Sequence, residues 1–334
     1  MRTISRLICI IVFIFAVTGC QQPESGQAGE LLVVGFKPDT TLKYKWVSQR
    51  DIIIDLGSSG AKKSSKKGSR HKTSEKLELR IAYTPIKIDP YGLTSIRAKC
   101  ELAKVTRSSA SPRGSRPGTD AVETLAGQTY TFELSPTGKI ADYTNFKEVI
   151  HRLGEKAFVS SKNSQGRTKN PDMISDFVAM QWYLWDSIAT NPNPLEGIRG
   201  GRSWTAKQLV PLPIPVPVAR DTTYSLDEIL ETPDGRKAII NCSYALNATK
   251  LEDWPKPYGG TFSLKGSLFA LMKNFRPQTL EGSGKQVFNI DSGTVESERQ
   301  QYKMTMLASF LMPLGENDPV ITIDQKMSLK LLNN

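Results

Sequence analysis

TTYSLDEILETPDGRKAIINCSYALNATK, residues 222–250, decides the architecture. Two strand-like runs flank Pro233-Asp234-Gly235, where proline presets one turn dihedral and glycine permits the other, so the stretch reads as a hairpin. The same grammar continues downstream in GGTFSLKGSLFALM (259–272), in QVFNIDSGTVESERQQYKMTMLASF (286–310) with its turn at Asp291-Ser292-Gly293, and in VITIDQKMSLKLL (320–332). Upstream, TLKYKWVSQRDIIIDL (41–56), LELRIAYTPIKI (77–88) and SIRAKCELAKV (95–105) are strand-like, and TYTFELSPTGKIADY (129–143) folds back at Ser135-Pro136-Thr137-Gly138. Short connections between such runs favour antiparallel pairing. The expected fold class is α+β, mostly antiparallel β, with one or more curved sheets and two central helices packed on them.

The helices lie between the two sets of strands. Asn145-Phe-Lys-Glu148 fits a capping box, and Phe146, Val149, Ile150 and Leu153 then repeat at helical spacing, so a helix is expected to about Phe158. Asn170-Pro171 predicts a second start, and Met173, Phe177, Met180, Leu184 and Ile188 form one apolar stripe that Asn191-Pro192 stops. VPLPIPVPVA (210–219) alternates proline with apolar residues. Proline cannot donate to a sheet ladder, which predicts an extended connector across an apolar surface.

The two halves echo one another. Gly92 precedes the strand of Cys100 and a later Thr-Phe-x-Leu run, and Gly235 precedes the strand of Cys242 and GGTFSLKGSLF. Internal duplication and convergent strand composition both produce such an echo. The expected organisation is a signal peptide (1–19), a lipidated N-terminus and tether (20–40), a first β-rich half with a helix (41–160), a helix and Pro-rich connector (161–220), and a second β-rich half (221–334).

The signal assignment rests on the basic lead Arg2 and Arg6, the apolar run Leu7–Val17, and Val17-Thr18-Gly19-Cys20. The run is too short to span a bilayer, which takes about 20 apolar residues, and its end resembles a lipobox. That predicts cleavage before Cys20, diacylation of Cys20, and residence in a bacterial cell envelope on the periplasmic side or the outer surface. Gln21 in place of Asp points to the outer membrane under Gram-negative sorting.

The formal charge of +11 is concentrated: residues 58–76 hold seven Lys or Arg against Glu75 alone. Lys62, Lys63, Lys66, Lys67 and Arg70 sit among Gly and Ser, outside any basic or aromatic-bearing fold, and export argues against a nucleic-acid partner. The stretch reads as a loop between strands 41–56 and 77–88, drawn to anionic lipid or cell-wall polymer, and removing 58–74 is expected to leave the fold intact. TRSSASPRGSRPGTD (106–120), with Arg107, reads as a second loop.

Export also makes Cys100 and Cys242 a candidate disulfide, with two buried free thiols as the other reading. The two histidines, His71 and His151, sit in no nucleophile motif, and no Cys/His spacing suits a metal. EGSGKQ (281–286) lacks the Ser or Thr of a phosphate loop at Gln286, so it reads as a turn. No cofactor and no catalytic residue is assigned. The aromatic residues Trp182, Tyr183, Trp185 and Trp204, with Trp254, are candidates for lining an apolar cleft between helix and sheet; packing in the core is the competing reading.

The lipobox, Lys43-Tyr44-Lys45-Trp46, the 130–138 hairpin, GRSWT (201–205) and Phe288-Asn-Ile-Asp-Ser-Gly293 together resemble a group of uncharacterised bacterial lipoproteins found notably in Planctomycetes and Bacteroidetes. The resemblance implies export, lipidation and a β-rich fold, and brings no activity with it. The expected function is non-catalytic: an anchored envelope protein that binds an apolar or polymeric ligand or a protein partner, with a structural or assembly role as the alternative.

Overall fold

A computed structural model describes residues 29–56, 70–109, 119–159, 167–192, 197–249, 255–264, 268–311 and 318–332. The strands are β1 (Leu42–Asp55), β2 (Arg70–Ile88), β3 (Thr94–Ser109), β4 (Thr129–Leu134), β5 (Ile140–Asp142), β6 (Phe158–Val159), β7 (Thr168–Lys169), β8 (Ser203–Leu209), β9 (Ala219–Thr232), β10 (Gly235–Asn247), β11 (Ser263–Leu264), β12 (Met272–Asn289), β13 (Thr294–Phe310) and β14 (Val320–Leu332). The helices are α1 (Thr144–Lys156) and α2 (Ile174–Ala189). Eleven strands form one antiparallel sheet in the order β5-β4-β3-β2-β1-β14-β13-β12-β10-β9-β8, and β11-β7-β6 form a separate small one.

The large sheet has two faces of opposite character. Along β1, Tyr44, Trp46, Ser48, Arg50, Ile52 and Ile54 are buried and their neighbours face outward, because successive side chains of a strand point to opposite sides. The inner face carries the helices. Phe146, Val149, Ile150 and Leu153 bury one side of α1, whereas α2 is apolar on most of its circumference and buries twelve of its sixteen residues. A helix apolar nearly all round is stable only when surrounded, so α2 lies in the centre of the core.

The hairpins at 233–234 and 291–293 form as expected, and so does the one at 135–138, where Gly138 takes φ +83°. Several expectations are corrected. The capping box of α1 does not form: Asn145 Oδ1 instead accepts from Thr131 N at 2.9 Å, and Asp142 Oδ1 accepts from Thr144 N. α2 begins at Ile174, not at Asn170-Pro171, with Asp172 Oδ1 accepting from Ile174 N at 3.0 Å, because Thr168 and Lys169 are held in the small sheet.

Of the described residues in 259–272, Ser263–Leu264 form a strand in the small sheet and Met272 opens β12. The neighbour of β10 in the large sheet is β12, which runs through EGSGKQ. That stretch is therefore mid-strand and not a turn. Its glycines are there because tyrosines occupy the space: a Cβ on Gly284 would meet Tyr244 Oη, and one on Gly282 would meet Tyr302 and Gln301 O.

β2 starts at Arg70, and Arg70, His71 and Lys72 pair with Asp55, Ile54 and Ile53. Arg107 is likewise inside β3, not in a loop. The prolines of 210–218 form the connection between the adjacent strands β8 and β9, closed by Val210 N donating to Val218 O at 2.8 Å, with Leu212 and Ile214 buried beneath. Residues 30–36 cross one end of the sheet, where Val34 N donates to Pro136 O and Gly35 N to Gly293 O.

Candidate functional site

The expected site residues fall in several places. Cys20, Lys62, Lys63, Lys66, Lys67 and Trp254 lie outside the described residues. Cys100 and Cys242 are both free and buried, on β3 and β10, with five strands between them in the sheet order. The candidate disulfide does not form for that reason, since a bridge requires Cα atoms within about 7 Å, and the other reading, two buried free thiols, is what the structure has. Burial pushes the Cys100 thiol up to about 12, which leaves it unreactive.

The four aromatics have separate partners. Trp185 packs on Phe36, Tyr83 and Phe132. Half-buried Trp182 packs on Tyr143 and Phe146, and Trp204 lies against Tyr224 while donating Nε1 to Ser187 O at 3.0 Å. Tyr183 lies under the Arg220 guanidinium at 4.6 Å and donates its hydroxyl to Leu209 O. Their rings face different sides of α2 and are packed by protein. His151 is exposed on α1, and His71 is exposed at the start of β2. Among the described residues no cluster of His, Cys, Asp and Glu is arranged to hold a metal, and no helix is long and apolar enough to cross a membrane.

Beneath α2 the core is polar in two places. At one, Arg50 donates Nε to Glu75 Oε2 at 2.6 Å and Nη1 to Asp176 Oδ2 at 2.8 Å, while Ser48 and Gln325 hold the other Asp176 oxygen. Arg107 joins the cluster through Glu75 and Asp120. Burial alone would raise the Glu75 carboxyl, but Arg50 and Arg107 outweigh it and hold it below the usual range.

At the other, buried Arg220 meets no carboxylate directly. It donates to Gln208 Oε1 at 2.7 Å and to Gln300 Oε1 at 2.7 Å. Those amides donate in turn to Asp186 at 2.7 Å and to Glu298 at 2.6 Å. Rings of Tyr183, Tyr244 and Tyr302 lie around the guanidinium at 4.0–5.1 Å, a cation–π enclosure. Burial pushes Asp186 up to about 6 and Glu298 up to about 7. Both clusters tie α2 to the sheet and neither opens to solvent at its charged atoms, so their chemistry is internal.

Sequence reasoning passed over Arg50 and Arg220. The signal was in the alternation: Trp46, Ser48, Arg50, Ile52 and Arg220, Thr222, Tyr224, Leu226 each put an arginine on the buried face of a strand.

The outward sheet face is accessible and cationic. Lys330, Lys45 and Arg80 are opposed in register on β14, β1 and β2, and Lys326 and Lys76 flank Gln49. Like charges directly opposite destabilise a sheet. Glu78 relieves Lys45 at 2.9 Å, and Glu101 stands 3.6 Å from Lys43. Near the start of β1 this face carries an open depression whose lining includes Asp39, Thr41, Lys43, Arg97, Lys99 and Glu101.

No protein-family model matches the chain, and no curated protein matches it. Among solved structures, DynF from the dynemicin biosynthesis pathway of Micromonospora chersina aligns over 92% of this chain and 91% of its own at 8% identity and a TM-score of 0.20, a likeness too slight to define a shared fold.

Proposed function

We propose that the chain is a lipid-anchored protein of the bacterial envelope, of the lipoprotein group it resembles, that acts by binding and not by catalysis. Cys20 carries the acyl chains, and the ligand is an anionic envelope polymer held on the outward face of the sheet. The observation that carries the reading is the depression over β1–β4, where Lys43, Arg97 and Lys99 face solvent beside threonines. By contrast, the helix side of the sheet is occupied by core side chains. Lys62, Lys63, Lys66, Lys67 and Arg70, in the sequence between β1 and the body of β2, add to the cationic charge available in this reading.

The sheet in this reading is curved and duplicated. Curvature is supported by the turns at 136 and 293, which belong to distant strands yet touch neighbouring residues 34 and 35. Duplication is supported by strand order: from the β8 edge the sheet runs β8 to β14 and then β1 to β5. Trp46 and Arg50 on β1 correspond to Trp204 and Gln208 on β8, and Arg50 and Gln208 each face a charged partner across the ladder, Glu75 and Arg220. Gly92 and Gly235 both have positive φ ahead of the cysteine strands. The GTFSL echo is not part of this correspondence.

Co-sedimentation of the purified protein with isolated anionic cell-wall polymer tests the reading. Binding should fall at least about fivefold in an R97E/K99E variant and weaken with added salt; unchanged binding refutes it. The second reading, a component of an envelope assembly, is favoured by β8, which among the described residues is an edge strand of the sheet, a place for strand addition. Recovery of one stoichiometric partner on crosslinking in cells would select it.

A further inference from the structure

We infer that the β2–β3 hairpin tip, with Ile86, Ile88 and Tyr91, is a second membrane contact that inserts into the bilayer interface beside the lipid anchor. The inference rests on the anchored reading above. Leu42, the first residue of β1, pairs with Tyr83, so on that side β2 projects five residues past the start of its neighbour, while on the other side β4 accompanies β3 as far as Leu134 opposite Thr94. On this projection Tyr91 is 88% exposed, Ile86 51% and Ile88 40%.

The exposure is built, not a consequence of a loose loop. Asp89 Oδ1 accepts from Tyr91 N at 2.9 Å and from Leu93 N at 2.8 Å, Gly92 N donates to Asp89 O at 3.0 Å, and Gly92 turns the chain at φ +85°. A tyrosine held outward beside isoleucines and Lys87 suits the headgroup boundary, where an aromatic ring buries its body and keeps its hydroxyl wet.

The location of the anchor selects the bilayer as occupant. The described chain begins at Gly29, and Glu30 pairs with Arg236 at the start of β10, at the same end of the sheet as the tip. Leu31 and Val33, 51% and 42% exposed, follow at that end. Residues 20–29 reach at most about 35 Å when fully extended, whereas β1 carries the chain about 45 Å away to the opposite end. The tip end therefore faces the membrane that holds Cys20.

Two measurements decide it. In the full acylated chain on phosphatidylcholine vesicles, a nitroxide on Tyr91→Cys should be more accessible to oxygen than to a water-soluble nickel chelate, and one on Asp318→Cys at the far end should show the reverse. An aqueous label at 91 overturns the inference. In the acyl-free C20S protein, partition onto the same neutral vesicles should fall at least about fivefold on adding I86S/Y91S with unchanged thermal unfolding; equal partition overturns it too. If acylated and C20S proteins leave vesicles equally readily, the anchor reading fails, and the C20S comparison still decides the tip.

Discussion

Gly284 shows how a single residue position is set by its neighbours. Its missing side chain makes room for Tyr244 Oη, and Arg299 O stands 2.8 Å from where a Cβ would be. Gly284→Ala should therefore destabilise the protein by about 1–3 kcal/mol, as overpacking does, read as a lower urea midpoint. Glu298 sets a pH response. Its pKa is raised from 4.5 to about 7, so the folded protein holds a proton that the unfolded chain releases between those values. Its contribution to stability is full below about 4.5 and is lost as pH rises through about 7, and Asp186, raised to about 6, acts in the same direction. Carboxylates held below their ordinary values, such as Glu75 and Glu78, respond only at lower pH. The melting temperature should be higher near pH 5.5 than near pH 7.5, and the difference should shrink in Glu298→Gln; equal differences in both proteins would contradict the assignment.

Among the elements, the β1–β2 hairpin separates what is removable from what is structural. Removing 58–74, expected from composition alone to be harmless, would take Arg70–Ser74 out of the ladder with β1 and break the Ser74 Oγ to Asp51 bond of 2.6 Å. It would also leave Glu75, the partner of Arg50, as the first residue after the excision. Removing 58–68 should leave the unfolding free energy, read by urea titration, within about 0.5 kcal/mol of the parent, since closure entropy changes slowly with loop length. Extending the deletion to 74 should cost several times more. α2 was legible because its stripe at Met173, Phe177, Met180, Leu184 and Ile188 is long and periodic; its start was not, because Lys169 and Asp172 are taken by an ion pair that composition does not reveal.

At the scale of the whole molecule, the anchor and the sheet are separate devices. Replacing Cys20 by Ser should move most of the protein from the membrane to the soluble fraction of cells, because diacylation supplies most of the attachment; retention of the wild-type level would contradict lipidation. The sequence by itself determined which residues alternate, where the tight turns fall and which segments are helical, since these depend on side-chain period and local dihedral preference. Only the tertiary structure decided that β12 passes through EGSGKQ, that Cys100 and Cys242 are kept apart, that Arg50 and Arg220 lie beneath α2, and that the hairpin tip and the entering chain share one end. The physical reason is that these features depend on which strands become neighbours. Neighbour choice is settled by pairing over the whole sheet and by burial beneath α2, energies that no local window of sequence contains.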